Sequence, residues 1–407
     1  MRAPFVVVHS AGIWLPVTET WLYNLISHLP ESIESHVVCG RRANTDLFPF
    51  PRVSVEEDLW RERLATRRGL RRLLGRRTIL LGERVRDLRP RILHSHFGYL
   101  GWRNLPVARR NGLRHVVSFY GVDLTQFPRS ELWRRRYAEL FAGADAILCE
   151  GPHMAGTLTD LGCPADRVRV HRLGVSVDRI PFRPRRRLPG EPLRVLVAAT
   201  FREKKGIPDA LACLAILAAG GVDCVATVIG DAHGPADAAE KERILAAAAA
   251  PALEGRVRFL GFQPPSRLME EAYRHHVFLA PSVTARGGDA EGGAPMSVIE
   301  MAASGMPIVS TTHCDIPNVL AEPNRRLLAP ERDPAALADV VRALAGSEWD
   351  GLTRANRDFI ERAFDVRVQA DGLARIYTEV AADPPGGAVS RPATVAPPPS
   401  RPRRPDR

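Results

Sequence analysis

"RPRRRLPGEPLRVLVAATFREKKGIPDAL" (183–211) is the stretch on which the fold turns. Residues 183–192 are rich in Pro and Arg and break any periodic pattern. Residues 193–200 then form an apolar, β-branched run. The chain turns through Arg202, Lys204, Lys205 and Gly206 and opens a helix. Before the breaker, the runs 5–9, 36–39, 91–96, 114–120, 145–150 and 167–174 read as strands. After it, 193–200, 224–231, 256–262, 276–282 and 307–312 do the same. Apolar runs of this length, separated by helical segments, indicate parallel strands buried on both faces. Two such series joined by a Pro/Arg linker predict two doubly wound α/β domains facing a cleft, with ligands at the carboxyl ends of the strands. The expected division is 1–182, 193–365, a helix at 366–382 and a tail at 383–407. Residues 352–382 read as helical throughout. The tail, rich in Pro and Arg and without apolar periodicity, reads as disordered.

A chain of 407 residues fits two domains. Its net charge is +11, and only Lys204, Lys205 and Lys241 among 57 basic residues are lysines. That balance suits phosphate-bearing ligands, anionic lipid or nucleic acid, and does not choose among them. Six scattered cysteines, with no C-x-x-C, point to a reducing cytosol. The opening "MRAPFVVVHS" runs straight into a strand and does not read as a signal peptide. No apolar stretch reaches the length of roughly 18 residues that a membrane span needs.

Two segments carry the chemistry. Around the turn at 200–206, cations stand at a strand end beside a helix N-terminus, a common place for phosphate. Taken alone, the turn reads equally well as solvated surface. The second segment is "EGGAPMSVIEMAASGMPIVSTTHCDIP" (291–317). A helix should begin near Pro295 and stop at Gly305. Gly292 and Gly293 let backbone N–H groups turn toward an anion. Glu291 precedes the helix and Glu300 lies within it, so both face one ligand from adjacent positions. Helix-start electrostatics plus a surface glutamate is the plainer alternative.

Together with "VIGD" (228–231) and "FLGF" (259–262), these segments resemble the retaining glycosyltransferases of family 4, which have the GT-B fold of two Rossmann-like domains. The resemblance covers roughly residues 4–380 and is nearest to enzymes that build exopolysaccharides of the colanic-acid type. It implies that Arg202 and Lys205 bind the diphosphate of a nucleotide sugar, that Glu291 holds the donor sugar and that Glu300 holds the ribose. Gly292, Gly293, Ala294 and Pro295 would line the donor, while Gly230 and the backbone around Gly261, Phe262 and Gln263 would meet the nucleoside and its base. Glu291 and Glu300 are separated by eight residues, where the family has seven. Thr200 stands where the family commonly has arginine, and Arg202 is the substitute.

The first domain is expected to hold the acceptor, with Gly12, Thr18, Glu19, His96, Tyr120 and Asp123 on that side. Many relatives have His-Gly-x-Asp where Tyr120-Gly121-Val122-Asp123 stands. A phenol that ionises near 10 does not replace an imidazole base. Either no side-chain base is needed there or His96 serves. His94 and His96 share a strand face, which invites a metal reading. With no third ligand near in sequence, no metal is expected. His153, His275, His276, His313 and Cys314 read as structural.

Residues 61–77, "RERLATRRGLRRLLGRR", carry eight arginines and one glutamate, with Leu70, Leu73, Leu74 and Leu81 at helical spacing. This segment is either an ordinary surface helix or a contact with anionic lipid. The resulting expectation is a metal-independent hexosyltransferase of surface-polysaccharide synthesis, cytoplasmic with a peripheral membrane contact. It would take a nucleotide sugar and a glycan or lipid-linked acceptor. A nucleotide-sugar epimerase of the same fold is the rival. A nucleic-acid-binding protein is disfavoured, since no aromatic and basic residues interleave. A catalytically dead scaffold is the remaining alternative.

Overall fold

The computed structural model describes residues 5–16, 20–46, 48–58 and 76–382. Thr18, Glu19, nearly all of the arginine-rich segment and the Pro/Arg tail lie outside the described residues. The first sheet has seven parallel strands in the order β3-β2-β1-β4-β5-β6-β7. They are β1 (Phe5–Trp14), β2 (Ile33–Arg42), β3 (Val53–Val55), β4 (Ile92–His96), β5 (Arg114–Ser118), β6 (Ala146–Cys149) and β7 (Val168–Val170). The second has six, ordered β10-β9-β8-β11-β12-β13: β8 (Leu193–Ala198), β9 (Cys224–Ile229), β10 (Val257–Phe259), β11 (Val277–Ala280), β12 (Ile308–Thr311) and β13 (Leu328–Ala329). Both have a switch point where the order reverses, beside β1 and β8. The result is the two-sheet GT-B architecture.

The second sheet is buried on both faces because its strands are apolar at successive positions. Val195 and Val197 face one core with Leu211 and Leu214, while Leu196 and Ala198 face another with Val298 and Met301. Each expected strand is present. β3 and β13 were not anticipated; at three and two residues they are too short to set a pattern. β1 runs on through Gly12 to Trp14, past the expected end at His9, so Gly12 lies within a strand. The continuous helix expected over 352–382 is broken. Asp365 separates Asp350–Phe364 from Val366–Ala382, and it bridges to Val175 as an isolated strand pair.

The last of these helices packs on the first sheet, with Ala370, Leu373 and Tyr377 against Val7, Ile92 and Val116. Tyr377 is fully buried, and its hydroxyl lies 2.6 Å from His94 Nδ1. Tyr377→Phe keeps the ring but leaves that nitrogen unpaired in the core. The expected loss is about 1–3 kcal/mol, read as a lower Tm in a thermal melt with the secondary structure retained. All six cysteines are free, and none of the described helices is long and apolar enough to cross a membrane.

Candidate active site

The candidate donor residues gather at the carboxyl edge of the second sheet. After β8 the chain passes Arg202 into a short 3-10 turn, Glu203–Lys205, and then Gly206. Gly206 has φ 61°, and a Cβ there would stand 1.9 Å from the Pro281 carbonyl oxygen, so only glycine fits. This turn sends two adjacent lysines in different directions. Lys204 is buried, its ammonium bonded to the Ala290 carbonyl (3.0 Å) and Asp289 (3.3 Å), and so anchors the base of the glycine loop. Lys205 reaches Glu291, with Nζ 2.8 Å from Oε1 and 2.9 Å from Oε2. Arg202 is half exposed, 3.7 Å from Asp237.

Glu291 also accepts a hydrogen bond from Ser282 (3.0 Å). Burial works against its charge, but Lys205, Lys204 and these hydrogen bonds outweigh it and hold its pKa below the ordinary carboxylate value. His313 fixes the start of the loop. Its Nε2 accepts the Glu291 N–H at 3.1 Å, and its Nδ1 lies 2.6 Å from Glu331. His313, read from sequence as structural, is thus a support for the candidate sugar-binding carboxylate. Nothing in the local sequence pairs it with Glu331.

The helix after the loop spans Met296–Ala303 and ends at Gly305, which has φ 89°. Glu300 sits on it, and among the described residues its carboxylate has no hydrogen-bonding or ionic partner. Burial pushes its pKa up to about 7. Gly230, at the end of β9, donates its N–H to the Gly261 carbonyl (2.9 Å). Phe262 is 52% exposed beside His233, and Gln263 folds back onto the Leu260 carbonyl.

Across the cleft, the first lobe sets Gly121 and Glu150 against the glycine loop, while Tyr120 is buried with its hydroxyl toward His96. Two further acceptor-side candidates are buried as well. Asp123 is fully buried, and its carboxylate accepts the Gly98 and Tyr120 amides at 2.7 and 2.8 Å. It orders two chain segments, and burial raises its pKa to about 7 despite those amides. His96 is also buried. Its nitrogens lie 3.1 Å from His9 Nδ1 and 2.9 Å from the Tyr120 hydroxyl, and burial drops its pKa to about 3. It therefore stands behind Tyr120 and does not open to the cleft. The expectation of no third ligand near His94 and His96 is corrected, since β1 brings His9 beside both. His94 is bonded to Tyr377 and Ser118, so a metal would enter this cluster only by breaking those hydrogen bonds.

The lobes touch through glycines. A Cβ on Gly121 would stand 2.3 Å from the Glu291 carbonyl oxygen, and one on Gly292 2.5 Å from Gly121 Cα. Asp315, following β12, reaches across to accept the His153 (2.9 Å) and Met154 (3.3 Å) amides at the start of the helix Pro152–Asp160.

Two parallel sheets meet at a cleft, with a lysine–glutamate pair at a strand end, an α/β architecture with its charged groups at the carboxyl edge. Residues 18–179 match the family described as Glycosyltransferase Family 4, and residues 178–365 match Glycosyl transferases group 1. The chain is 32% identical over 293 residues to the amylovoran biosynthesis glycosyltransferase AmsK of Erwinia amylovora, covering 70% of this chain and 69% of AmsK. It is 29% identical over 302 residues to WcaL of Escherichia coli (strain K12), a protein associated by name with colanic acid biosynthesis, covering 73% and 72%. Among solved structures, Anabaena Alr3699/HepE in complex with UDP and glucose superposes with a TM-score of 0.73 at 14% identity, covering 92% of this chain and 99% of that one. Sucrose-phosphate synthase from Thermosynechococcus elongatus gives 0.70 at 17%, covering 93% and 99%. The chain belongs to glycosyltransferase family 4 and is a glycosyltransferase related to exopolysaccharide enzymes.

Proposed function

We propose that this glycosyltransferase retains anomeric configuration, taking a sugar from a nucleotide sugar and adding it to a glycan or lipid-linked acceptor in surface-polysaccharide synthesis. The observation that carries the reading is the Lys205–Glu291 pair at the carboxyl end of β8, beside a glycine loop that leads to the partnerless Glu300. Lys205 and Arg202 bind the diphosphate, and Glu291 takes hydroxyls of the sugar. Glu300 takes the ribose hydroxyls. Gly230, Gly261, Phe262 and Gln263 receive the nucleoside, with Phe262 exposed to meet a base. Anabaena HepE, of the same fold, was solved with UDP and glucose, which supports a nucleotide-sugar donor here.

With His96 buried behind Tyr120, that imidazole is not the base in this reading. Transfer then runs on one face of the sugar. The bond from the anomeric carbon to the diphosphate oxygen breaks as the acceptor oxygen bonds to that carbon, and the departing diphosphate takes the acceptor proton. Lys205 and Arg202 offset the charge that develops on the leaving group, so the reading requires no metal. Thr18 and Glu19 are carried forward as acceptor-side candidates, and the segment 61–77 as the contact with anionic lipid. Replacing Arg71, Arg72, Arg76 and Arg77 by Gln should abolish salt-sensitive pelleting with anionic vesicles and spare donor binding. Equal pelleting by both forms removes that contact.

The testing experiment is a thermal-shift panel of UDP-, GDP-, ADP- and dTDP-sugars, followed by incubation of the stabilising donor without acceptor. A ligand that binds the folded form raises Tm. Conversion of the donor to its epimer would favour the epimerase reading. No shift with any nucleotide sugar would sink the donor assignment.

A further inference from the structure

Glu150, at the end of β6, is a cleft carboxyl that the transfer steps above leave unused. It projects from the first lobe into the glycine loop of the second. A Cβ on Gly293 would stand 2.0 Å from Glu150 Oε2, so the carboxyl packs directly on the loop backbone, beside the Ala294 N–H. One residue further on, a Cβ on Gly151 would stand 2.3 Å from the Asp315 carboxyl carbon, while Asp315 holds the amides of the helix that follows. Each lobe thus extends one carboxyl onto the backbone of the other.

We propose that Glu150 is a positioning residue for sugar transfer, locking the donor-sugar loop from the opposite lobe so that the loop reaches its working geometry only when the cleft is closed. This rests on the glycosyltransferase reading above. The start of the loop is fixed within its own lobe by His313 and Lys205, and its end by the helix Met296–Ala303. Between them lie two glycines and one residue more than the family spacing, held within the lobe at the Gly293 carbonyl, which accepts the Asp315 N–H at 3.2 Å, and otherwise free in backbone conformation. Gly293 is the point in that stretch where the opposite lobe bears on the backbone, through the Glu150 carboxyl. A donor sugar bound before closure would meet a loose loop; closure would set it.

The surroundings make the lock sensitive to pH. Burial first, then the charges of Asp315, Asp123 and Glu291, push the Glu150 pKa up to about 8. The Cys149 thiol adjoins it, and Lys205 and Lys204 answer the charges of Glu291 and Asp289. An opened cleft returns Glu150 to the ordinary carboxylate range, so closure takes up a proton and weakens as pH rises toward 8. Glutamine keeps the shape and the carbonyl acceptor but cannot ionise.

The test compares wild type with Glu150→Gln and Glu150→Ala in two assays. The first is hydrogen exchange of peptides spanning 291–296 in protein without ligand. Glu150→Ala should exchange faster, and Glu150→Gln should match wild type. Equal protection in all three overturns the lock. The second is release of nucleoside diphosphate from UDP-glucose, UDP-galactose, GDP-mannose and GDP-fucose. Glu150→Ala should lose on the order of tenfold or more in kcat with KM little changed. Glu150→Gln should stay near wild type at pH 7 and lack the decline of wild type approaching pH 8. Wild-type turnover by Glu150→Ala, or equal loss in both variants, overturns the positioning role. If wild type consumes none of these donors and no nucleotide sugar of the thermal-shift panel raises its Tm, the donor reading fails instead, while the exchange data still decide the lock.

Discussion

Glu300→Ala is expected to weaken both the nucleoside diphosphate and the nucleotide sugar at least tenfold. The ribose hydroxyls are the groups that Glu300 is proposed to hold, and hydrogen bonds to a charged group are worth about 1.5–3 kcal/mol each. Glu291→Ala, in contrast, should weaken only the sugar-bearing ligand or lower turnover. Lys205→Ala should weaken both ligands and lower turnover further, because it loses charge opposite the leaving diphosphate. A pH dependence follows from the burial of Glu300. Its pKa is raised to about 7 in the unliganded protein, and ribose is bound by the ionised form. Donor affinity should therefore fall as pH drops below 7, by up to about tenfold per unit. Glu300→Gln should bind weakly with a flatter profile. Calorimetric titration of each variant with both ligands between pH 6 and 8 measures these effects. If Glu291→Ala and Glu300→Ala both bind and turn over like wild type, the carboxylates are structural.

Gly121→Val should abolish most turnover while leaving nucleotide binding and Tm near wild type. The Gly121 backbone does not lie in the left-handed region, so the residue is not required by its own conformation. The requirement comes from the facing lobe, where a Cβ would stand 2.3 Å from the Glu291 carbonyl oxygen. A branched side chain there props the cleft apart by more than an ångström, and misplacement on that scale costs on the order of 100-fold in rate. Gly121→Ala should show a smaller loss of the same kind. Steady-state kinetics beside donor calorimetry separates this from damage to the donor site. Unchanged kcat in Gly121→Val would show that the lobes need not close to this contact.

The alternation of apolar runs and helices was enough to place eleven strands and the break between two sheets. The central parallel strands are buried along nearly their whole length, and composition carries that information locally. The strands Val53–Val55 and Leu328–Ala329 escaped because they exist only as edges completed by a neighbour. The turn at Gly206 and the helix start at Met296 were legible for the same local reason: glycine and proline announce backbone geometry directly.

The sequence alone determined the two doubly wound sheets, the family, and the pair of segments that meet at the carboxyl edge. The tertiary structure alone decided which of two adjacent lysines faces Glu291. It also turned His96 and Asp123 inward, and brought His9 onto His94 and His96, His313 onto Glu331, and Glu150 onto Gly293. These are pairings between residues tens to hundreds of positions apart. A charge or ring nitrogen has no period along the chain, and its role is set by burial and by the group that faces it. Both arise only when the sheets close on each other.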